Sequence, residues 1–156
     1  MNPTRTYYKN GQIKSEEWKN EAGKTHRLDG PAYQEWYKNG QLGTEVWLIN
    51  GSRHRLDGPA DQIWHKNGRL ACEVWYINGD LHRINGPAGQ RLYDDGRLMY
   101  KEYYINGRLH RLDGPAYQSW YTNGRLKYES WHINGVQYES EAEFLVAVDL
   151  YKANEI

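Results

Sequence analysis

The residues best suited to chemistry are four histidines, each followed three positions later by Asp or Asn. A histidine held by a carboxylate is the arrangement of a general base and the group that orients it. The heptapeptide His-Arg-Leu-Asp-Gly-Pro-Ala, called the box below, begins at His26, His54 and His110, and an Ile-Asn variant begins at His82. No Ser or Cys nucleophile recurs in register with the boxes, and an enzyme needs one site rather than four copies. We therefore predict no catalytic residue and do not expect an enzyme.

The arginine after each box histidine is expected to be structural. Arginines that meet carboxylates of the neighbouring unit would explain the recurrence, with Asp-Gly-Pro forming a turn and Pro ending a strand. These arginines are Arg27, Arg55, Arg83 and Arg111. A metal site is not expected, because histidines one strand spacing or about 10 Å apart cannot converge within the about 2 Å that zinc requires. No cofactor-binding motif is present, so no cofactor is predicted.

Composition excludes several classes of protein. The single cysteine, Cys72, rules out an internal disulfide and a cysteine-based zinc site. With 20 Lys and Arg against 20 Asp and Glu, the chain lacks the basic excess of a nucleic-acid binder, so a nucleic-acid partner is not expected. No segment approaches the about 20 apolar residues of a membrane span, and the N-terminus has no apolar signal region. We expect a cytoplasmic protein, in the host cytoplasm if it is viral, without a membrane partner.

Three motifs recur with a period of 28 residues, which identifies a tandem repeat. Besides the box, Ile-Asn-Gly begins at Ile49, Ile77, Ile105 and Ile133, and an Asn-Gly or Asp-Gly pair begins at Asn39, Asn67, Asp95 and Asn123. We predict a single repeat domain over residues 1–156. Its units span about 1–25, 26–53, 54–81, 82–109 and 110–139, and a C-terminal helix spans 140–153.

The turn signals predict antiparallel hairpins. Asn-Gly and Asp-Gly favour type I′ turns, whose twist suits a two-residue hairpin. Between them, segments of strand length and strand chemistry cover Tyr33–Tyr37, Leu42–Ile49 and a short stretch near Arg53–Leu56. The predicted fold class is therefore an all-β repeat of stacked antiparallel hairpins in a meander. Whether the sheet stays flat, winds or closes stays open.

The last residues predict a helix that caps the repeat. Ser140 and Glu143 form the capping-box pattern S-x-x-E, and Phe144, Val148 and Tyr151 follow at helical spacing. A stack of repeats needs its last apolar face covered, which is the role we expect for this α-helix.

Alternate strand positions differ in how much they vary between units. Gln34 and Trp47 belong to positions that barely change, whereas their neighbours scatter. Side chains alternate across a strand, so one face is uniform and the other variable. We interpret the uniform face as core and the variable face, rich in tyrosine, as the surface that binds a protein partner. The candidate partner-binding residues are Tyr33, Leu48, Tyr76, Arg91, Tyr100, Tyr104, Tyr117, Tyr128 and His132.

Two alternatives stay open at this point. Rows of Tyr and Trp with arginines after the Asn-Gly turns could stack bases, which would make the chain a small-ligand or nucleotide-binding sink. The second alternative is a homodimer that pairs through exposed end strands.

Trp36–Leu42 and Trp120–Leu126 both read W-Y-x-N-G-x-L, and W-x-I-N-G and the box accompany them. These elements resemble MORN-repeat variants of antitoxin-like bacterial proteins and of phage and large DNA-virus proteins, over about residues 7–138. The resemblance implies a hairpin scaffold for protein association, used as a phage or viral inhibitor of a host defence protein or as an antitoxin-like neutraliser. It supplies no catalytic residues.

Overall fold

Tight turns divide the chain into short strands and one helix. A computed structural model describes residues 2–154, so residues 1, 155 and 156 of the predicted domain lie outside it. In chain order the elements are β1 (Thr4–Tyr7), β2 (Ile13–Glu17), β3 (Tyr33–Trp36), β4 (Leu42–Val46), β5 (Leu48–Ile49), β6 (Ser52–Arg53), β7 (Asp61–Trp64), β8 (Leu70–Val74), β9 (Tyr76–Ile77), β10 (Asp80–Leu81), β11 (Gly89–Leu92), β12 (Leu98–Glu102), β13 (Tyr104–Ile105), β14 (Arg108–Leu109), β15 (Tyr117–Trp120), β16 (Leu126–Ile133), β17 (Val136–Tyr138) and α1 (Glu141–Ala153).

One antiparallel sheet of eleven strands runs through the described residues, in the order β1-β2-β3-β4-β7-β8-β11-β12-β15-β16-β17. The strands missing from that order form three short hairpins, β5–β6, β9–β10 and β13–β14. Each central repeat thus begins with a box, then supplies a long hairpin to the sheet, and then a short hairpin beside it. The predicted all-β meander with a C-terminal helix is confirmed.

The strand predicted over Leu42–Ile49 is broken at Trp47. The Trp47 N–H donates to the carbonyl of Ala60 at 2.7 Å, and the Trp47 carbonyl accepts from the His54 N–H at 3.1 Å. The backbone at Trp47 is therefore paired with the next box, and β5 turns away to pair with β6. The short strand predicted near Arg53–Leu56 ends at Arg53, because the box that follows is irregular.

Only one of the three predicted turn types is a type I′ hairpin. At Asn50-Gly51 both residues have positive φ, +52° and +86°, as type I′ requires. At Asn39-Gly40 only Gly40 does, at +82°, and its N–H donates to Tyr37. That geometry, with a register shift beside Trp36, is a type I turn with a glycine bulge. The Asp-Gly of the box makes no hairpin; it links neighbouring units.

The buried core of the sheet is small. The alanine that ends each box is completely buried, at 0 % exposure in Ala32, Ala60, Ala88 and Ala116. Ala60 lies between units, since its N–H donates to Val74 at 2.9 Å while its carbonyl accepts from Trp47. Contrary to our interpretation of the uniform face as a core, its tryptophans are half-buried, as in Trp47. The box arginines lie against these rings, as Arg55 does on Trp47.

The helix α1 covers the last repeat. Ser140 is its N-cap and its Oγ accepts from the Glu143 N–H at 3.3 Å, while Glu143 accepts from the Glu139 N–H at 3.2 Å. Phe144 and Val148 are buried against Ile133. The predicted helix thus packs on the sheet through β16. None of the helices within residues 2–154 is both long enough and apolar enough to cross a membrane.

Candidate binding face

The sheet register separates the uniform face from the variable face. Gln34 pairs with Glu45, and both belong to the uniform face, whereas the next pair along, Tyr33 with Val46, belongs to the variable face. Two rows of cross-strand neighbours make up the variable face between β3 and β16. They are Glu35, Thr44, Ile63, Cys72, Arg91, Tyr100, Ser119 and Tyr128, and Tyr33, Val46, Asp61, Val74, Gly89, Glu102, Tyr117 and Ser130.

The uniform face is held by a polar ladder that each unit repeats in part. Gln34 donates to Glu45 at 3.1 Å, and the Trp47 indole N–H donates to the same carboxylate at 2.9 Å. The Arg55 guanidinium lies 4.1 Å from the centre of the Trp47 ring. Such a cation–π contact stabilises the fold while covering the ring. The same stacking pairs Arg27 with Trp18, Arg83 with Trp75 and Arg111 with Tyr103.

Three of the four box arginines bind the aspartate of their own box, and Arg55 also forms an ion pair of the predicted kind with a neighbouring unit. Arg83 has Asn85 in place of the aspartate and donates to the carbonyl of Pro87 at 3.1 Å. Arg55 Nε donates to Asp57 at 3.0 Å, and its only carboxylate in the preceding unit is Glu45, at 3.9 Å. The turn places the aspartate two residues away within reach, while the arginine lies flat on its tryptophan. This hydrogen bond lowers the pKa of Asp57, and the corresponding bonds lower the pKa of Asp29 and Asp113.

Each box histidine links its box to the short hairpin at the end of the same unit. The Nδ1 of His26 accepts the backbone N–H of Asn50 at 2.9 Å, and His54 accepts that of Asn78 at 3.1 Å. The imidazole nitrogen binds the backbone N–H of the asparagine that begins the type I′ turn. Without the histidine, this N–H would face water. These histidines therefore connect the two ends of a unit, 24 residues apart along the chain.

The structure places eight of the nine candidate partner-binding residues where a partner can reach them. Tyr33, Leu48, Tyr76, Tyr100, Tyr104 and Tyr117 are half-buried, and Arg91 and Tyr128 are exposed. His132 differs: it is 8 % exposed and lies 3.0 Å from Ser130 Oγ, so it offers little surface. Sequence alternation could not show this, because β16 continues unbroken through Trp131 only in the last unit.

Aromatic rings run along the variable face. Tyr100 and Tyr117 are stacked with ring centres 6.2 Å apart, and Tyr117 and Tyr128 are 6.0 Å apart. Over the first units the same face forms an open groove of about 380 Å³, lined in part by Tyr33, Val46 and Leu48. Tyrosine is the residue that protein interfaces favour, since it offers a large apolar ring and a polar end.

Glu102 is the residue of this face that sequence reasoning missed. Its equivalents are Val46, Val74 and Ser130, and across the strand it faces Gly89. A Cβ added to Gly89 would lie 2.6 Å from Glu102 Oε1, so the carboxylate occupies the space that the glycine leaves. Burial raises the pKa of Glu102. A charge at a position that is valine in two other units, opposite a glycine that no turn explains, was the signal in the sequence.

The variable face is acidic. From β2 to β16 its strands carry four carboxylates and one guanidinium: Glu17, Glu35, Asp61, Glu102 and Arg91. Asp61 is paired with Arg53 at 2.9 Å and Glu17 with Lys19 at 3.1 Å. Among the described residues Glu102 has neither a hydrogen-bond partner for its side chain nor an ion-pair partner within 4.0 Å.

Cys72 lies in the middle of this face. Burial, and then the nearby carboxylate of Asp61, raises the pKa of its thiol to about 11. The thiolate is the reactive form of cysteine, so at neutral pH this thiol is a weak nucleophile. Across residues 2–154, no group of three or more His, Cys, Asp or Glu side chains is arranged to hold a metal ion.

A second exposed surface lies beside the stacked arginines. Leu28, Leu56 and Ile84, the third residues of the first three boxes, are 75–78 % exposed. Leu112 has the same place in the fourth box, but it is partly buried against the cluster around Phe144. The helix α1 thus covers the last member of an apolar row and leaves the others in solvent.

Comparison with known proteins adds no relative: no protein-family model matches the chain, and neither the curated proteins nor the solved structures yielded a match.

Proposed function

We propose that this chain is a non-catalytic module that binds a protein partner through the variable face of its sheet. The observation that supports this proposal is that the side chains of the two faces do different things. On the uniform face the side chains contact one another in the polar ladder, which in one place consists of Gln34, Glu45, Trp47 and Arg55. The variable face carries rings that differ from unit to unit and that are half-buried or exposed, as Tyr100 and Tyr128 are.

The charge of the variable face favours a protein over a nucleic acid. Backbone phosphates would meet the carboxylates of Glu35, Asp61 and Glu102, and such like-charge contacts are costly. The resemblance to MORN-repeat variants supports a more specific role, in which the chain neutralises a host defence protein or a toxin. That role is part of the proposal and rests on the repeat motifs alone.

A small-ligand sink is the second candidate, and the groove over the first units favours it. Its volume of about 380 Å³ falls within the about 300–1,000 Å³ of typical ligand pockets. A ligand that binds only the folded chain raises its melting temperature. Nucleotides that raise it in the wild type, but not after Tyr33→Ala, would support this candidate over the first.

Affinity capture from lysate of the natural host tests the proposed function. The wild type is compared with a Tyr76→Ala/Tyr100→Ala/Tyr104→Ala variant and with Tyr121→Ala, which removes an exposed tyrosine from a turn rather than from the variable face. We expect a protein that the wild type and Tyr121→Ala retain and the triple variant loses. Circular dichroism must show that all three are folded. Equal retention by all three would refute the assignment of this face.

A further inference from the structure

The fourth repeat, residues 82–109, contains a gap in the variable face that its neighbours fill. At the first position of the long hairpin the second, third and fifth repeats carry Tyr33, Asp61 and Tyr117, whereas the fourth has Gly89. Gly89 is itself buried, beneath the Glu102 side chain. The missing side chain gives the carboxylate room to lie over the sheet, half-buried among its neighbours.

The surroundings of this carboxylate are tyrosine rings. Tyr117 is its cross-strand neighbour on β15, and Tyr100 lies two positions earlier on β12, stacked on Tyr117. Tyr76 and Tyr104 come from the short hairpins beside the sheet. Burial is the main cause that raises the pKa of Tyr76, Tyr100 and Tyr104, and the charge of Glu102 adds to the rise in each.

No cation of the described chain neutralises Glu102. Arg53, which lies 5.7 Å from the Tyr76 ring centre, is bonded to Asp61. Arg91 is exposed and pairs across the strands with Cys72 and Tyr100 rather than with Glu102. A half-buried carboxylate without a partner is unfavourable, and an incoming cation would relieve that cost. Tyrosine rings around it would add cation–π attraction.

We propose that Glu102, framed by Tyr76, Tyr100, Tyr104 and Tyr117, is the site that receives a cationic side chain of the partner, a lysine or an arginine. The proposal rests on the proposed function and names the chemistry of its site. The carboxylate supplies a charge-assisted hydrogen bond and the rings supply a desolvated wall. The partner segment is therefore basic, which agrees with the excess of carboxylates on the whole face.

Short peptides test this chemistry without knowledge of the partner. The probes are acetyl-Gly-X-Gly-amide peptides in which X is lysine, trimethyllysine, arginine or the uncharged norleucine, titrated into the full chain and followed by NMR of its tyrosine rings. We expect the cationic peptides to shift signals of Tyr76, Tyr100, Tyr104 and Tyr117, with norleucine inert. Glu102→Gln should lower the affinity for the lysine peptide by about tenfold, the size expected for one charged hydrogen bond.

Glu102→Val is the second variant, because Val46 and Val74 show that the repeat accepts valine at this position. It should abolish the lysine-specific shifts and keep the fold. Equal shifts from the lysine and norleucine peptides, or unchanged lysine affinity in both variants, would overturn the proposal. A partner captured by the wild type and by Glu102→Gln but lost by the triple tyrosine variant would leave the proposed function intact and refute this site alone.

Discussion

At the scale of single residues, small side chains decide how closely the units approach. The box alanines are completely buried and their backbones are bonded on both sides, so Ala60 has no room for additional carbon atoms. Gly89 has the opposite effect: it opens space above one strand, and a carboxylate fills it. Composition shows that a chain has many alanines and glycines, but only their neighbours in space show which of them must be small.

Ala60→Leu should therefore destabilise the fold by about 1–3 kcal/mol or more, the usual cost of adding carbon atoms to a filled site. The measurement is urea denaturation followed by tryptophan fluorescence. Ala142→Leu, at an exposed position of α1, is the matched control and should change the free energy of unfolding little. Equal effects of the two substitutions would show that the box alanines are not tightly enclosed.

Glu102 gives the protein a specific dependence on pH. Burial raises its pKa in the folded chain, so the folded state holds this proton to higher pH than the unfolded state does. The free energy of unfolding therefore falls as pH rises from the unfolded pKa through the folded pKa. Tyr76, Tyr100 and Tyr104 stay protonated in that interval, because burial raises their pKa further above it.

Glu102→Gln removes this titration while the other carboxylates remain. We expect the variant to gain stability relative to the wild type as the pH rises above the unfolded pKa of glutamate, about 4, because the wild-type carboxylate must then ionise in a half-buried site. Urea denaturation of both proteins at several pH values measures the difference. A difference that stays constant with pH would mean that Glu102 ionises as freely in the folded chain as in the unfolded one.

At the scale of elements, the two Asn-Gly families form different turns although their sequences are alike. Asn78 has a φ of +53° in a type I′ turn, and its N–H is bonded to His54. Asn67 keeps a negative φ in a type I turn with a bulge, and its side chain accepts from the Arg69 N–H at 3.0 Å. The length of the hairpin, rather than the dipeptide, selects the turn.

Asn78→Ala should consequently lower the free energy of unfolding by about 1 kcal/mol or more, because positive φ is unfavourable for alanine. Asn78→Gly should be nearly neutral, since glycine adopts that φ without strain. At Asn67 the order should reverse, with glycine no better than alanine. Thermal melting of the four variants measures this pattern. If glycine rescued both positions equally, the two turns would share one conformation.

Several elements could be predicted from the sequence because their causes are local. The capping box at Ser140 and Glu143 and the type I′ turn at Asn50 are set by residues within a few positions. The break at Trp47 could not be predicted, because its cause is a hydrogen bond to Ala60, in the next box. An ion pair between units was predicted for Arg55 and is formed with Glu45, but the shorter bond to Asp57 was not predicted, because the stacking of Arg55 on Trp47 orients it toward its own box.

The candidate site was predictable to a lesser extent. Variation between repeats identified the face and most of its tyrosines, because a shared stacking requirement leaves a trace in any repeat sequence. It did not identify Glu102, since one carboxylate among scattered residues looks like ordinary surface until Gly89 is placed opposite it. Nor could it show that His132 is buried, since that depends on the last unit alone.

At the scale of the whole molecule, the two ends of the long sheet differ in how they are covered. One end is covered by α1, where Phe144 is 1 % exposed. The other end is β1, whose four residues are all exposed and whose outer edge is unpaired within the described sheet. Two copies could join through this edge. We propose that pairing as secondary to partner binding, and sedimentation velocity over a range of concentrations would reveal it.

Phe144→Ala should destabilise the chain by about 3–5 kcal/mol, as expected for an aromatic ring removed from a filled site. Leu145→Ala is the matched control, since Leu145 is 54 % exposed on the same helix. In a repeat protein each unit contacts mainly its neighbours, so the loss should be greatest in the last unit. Relative to the wild type, amide hydrogen exchange in the variant should accelerate more in β16 and β17 than in β3 and β4. Uniform acceleration would contradict local capping.

The measurement that tests the central claim most directly is hydroxyl-radical footprinting of the captured complex, read residue by residue against the free chain. The account predicts protection of Tyr100 and Tyr128 on the variable face, with Tyr121 and the box residues Leu28 and Leu56 as reactive as before. Protection of Leu28 and Leu56 while Tyr100 and Tyr128 stay reactive would contradict it. The partner would then bind the row of exposed box residues beside the stacked arginines, and the variable face would be ordinary surface.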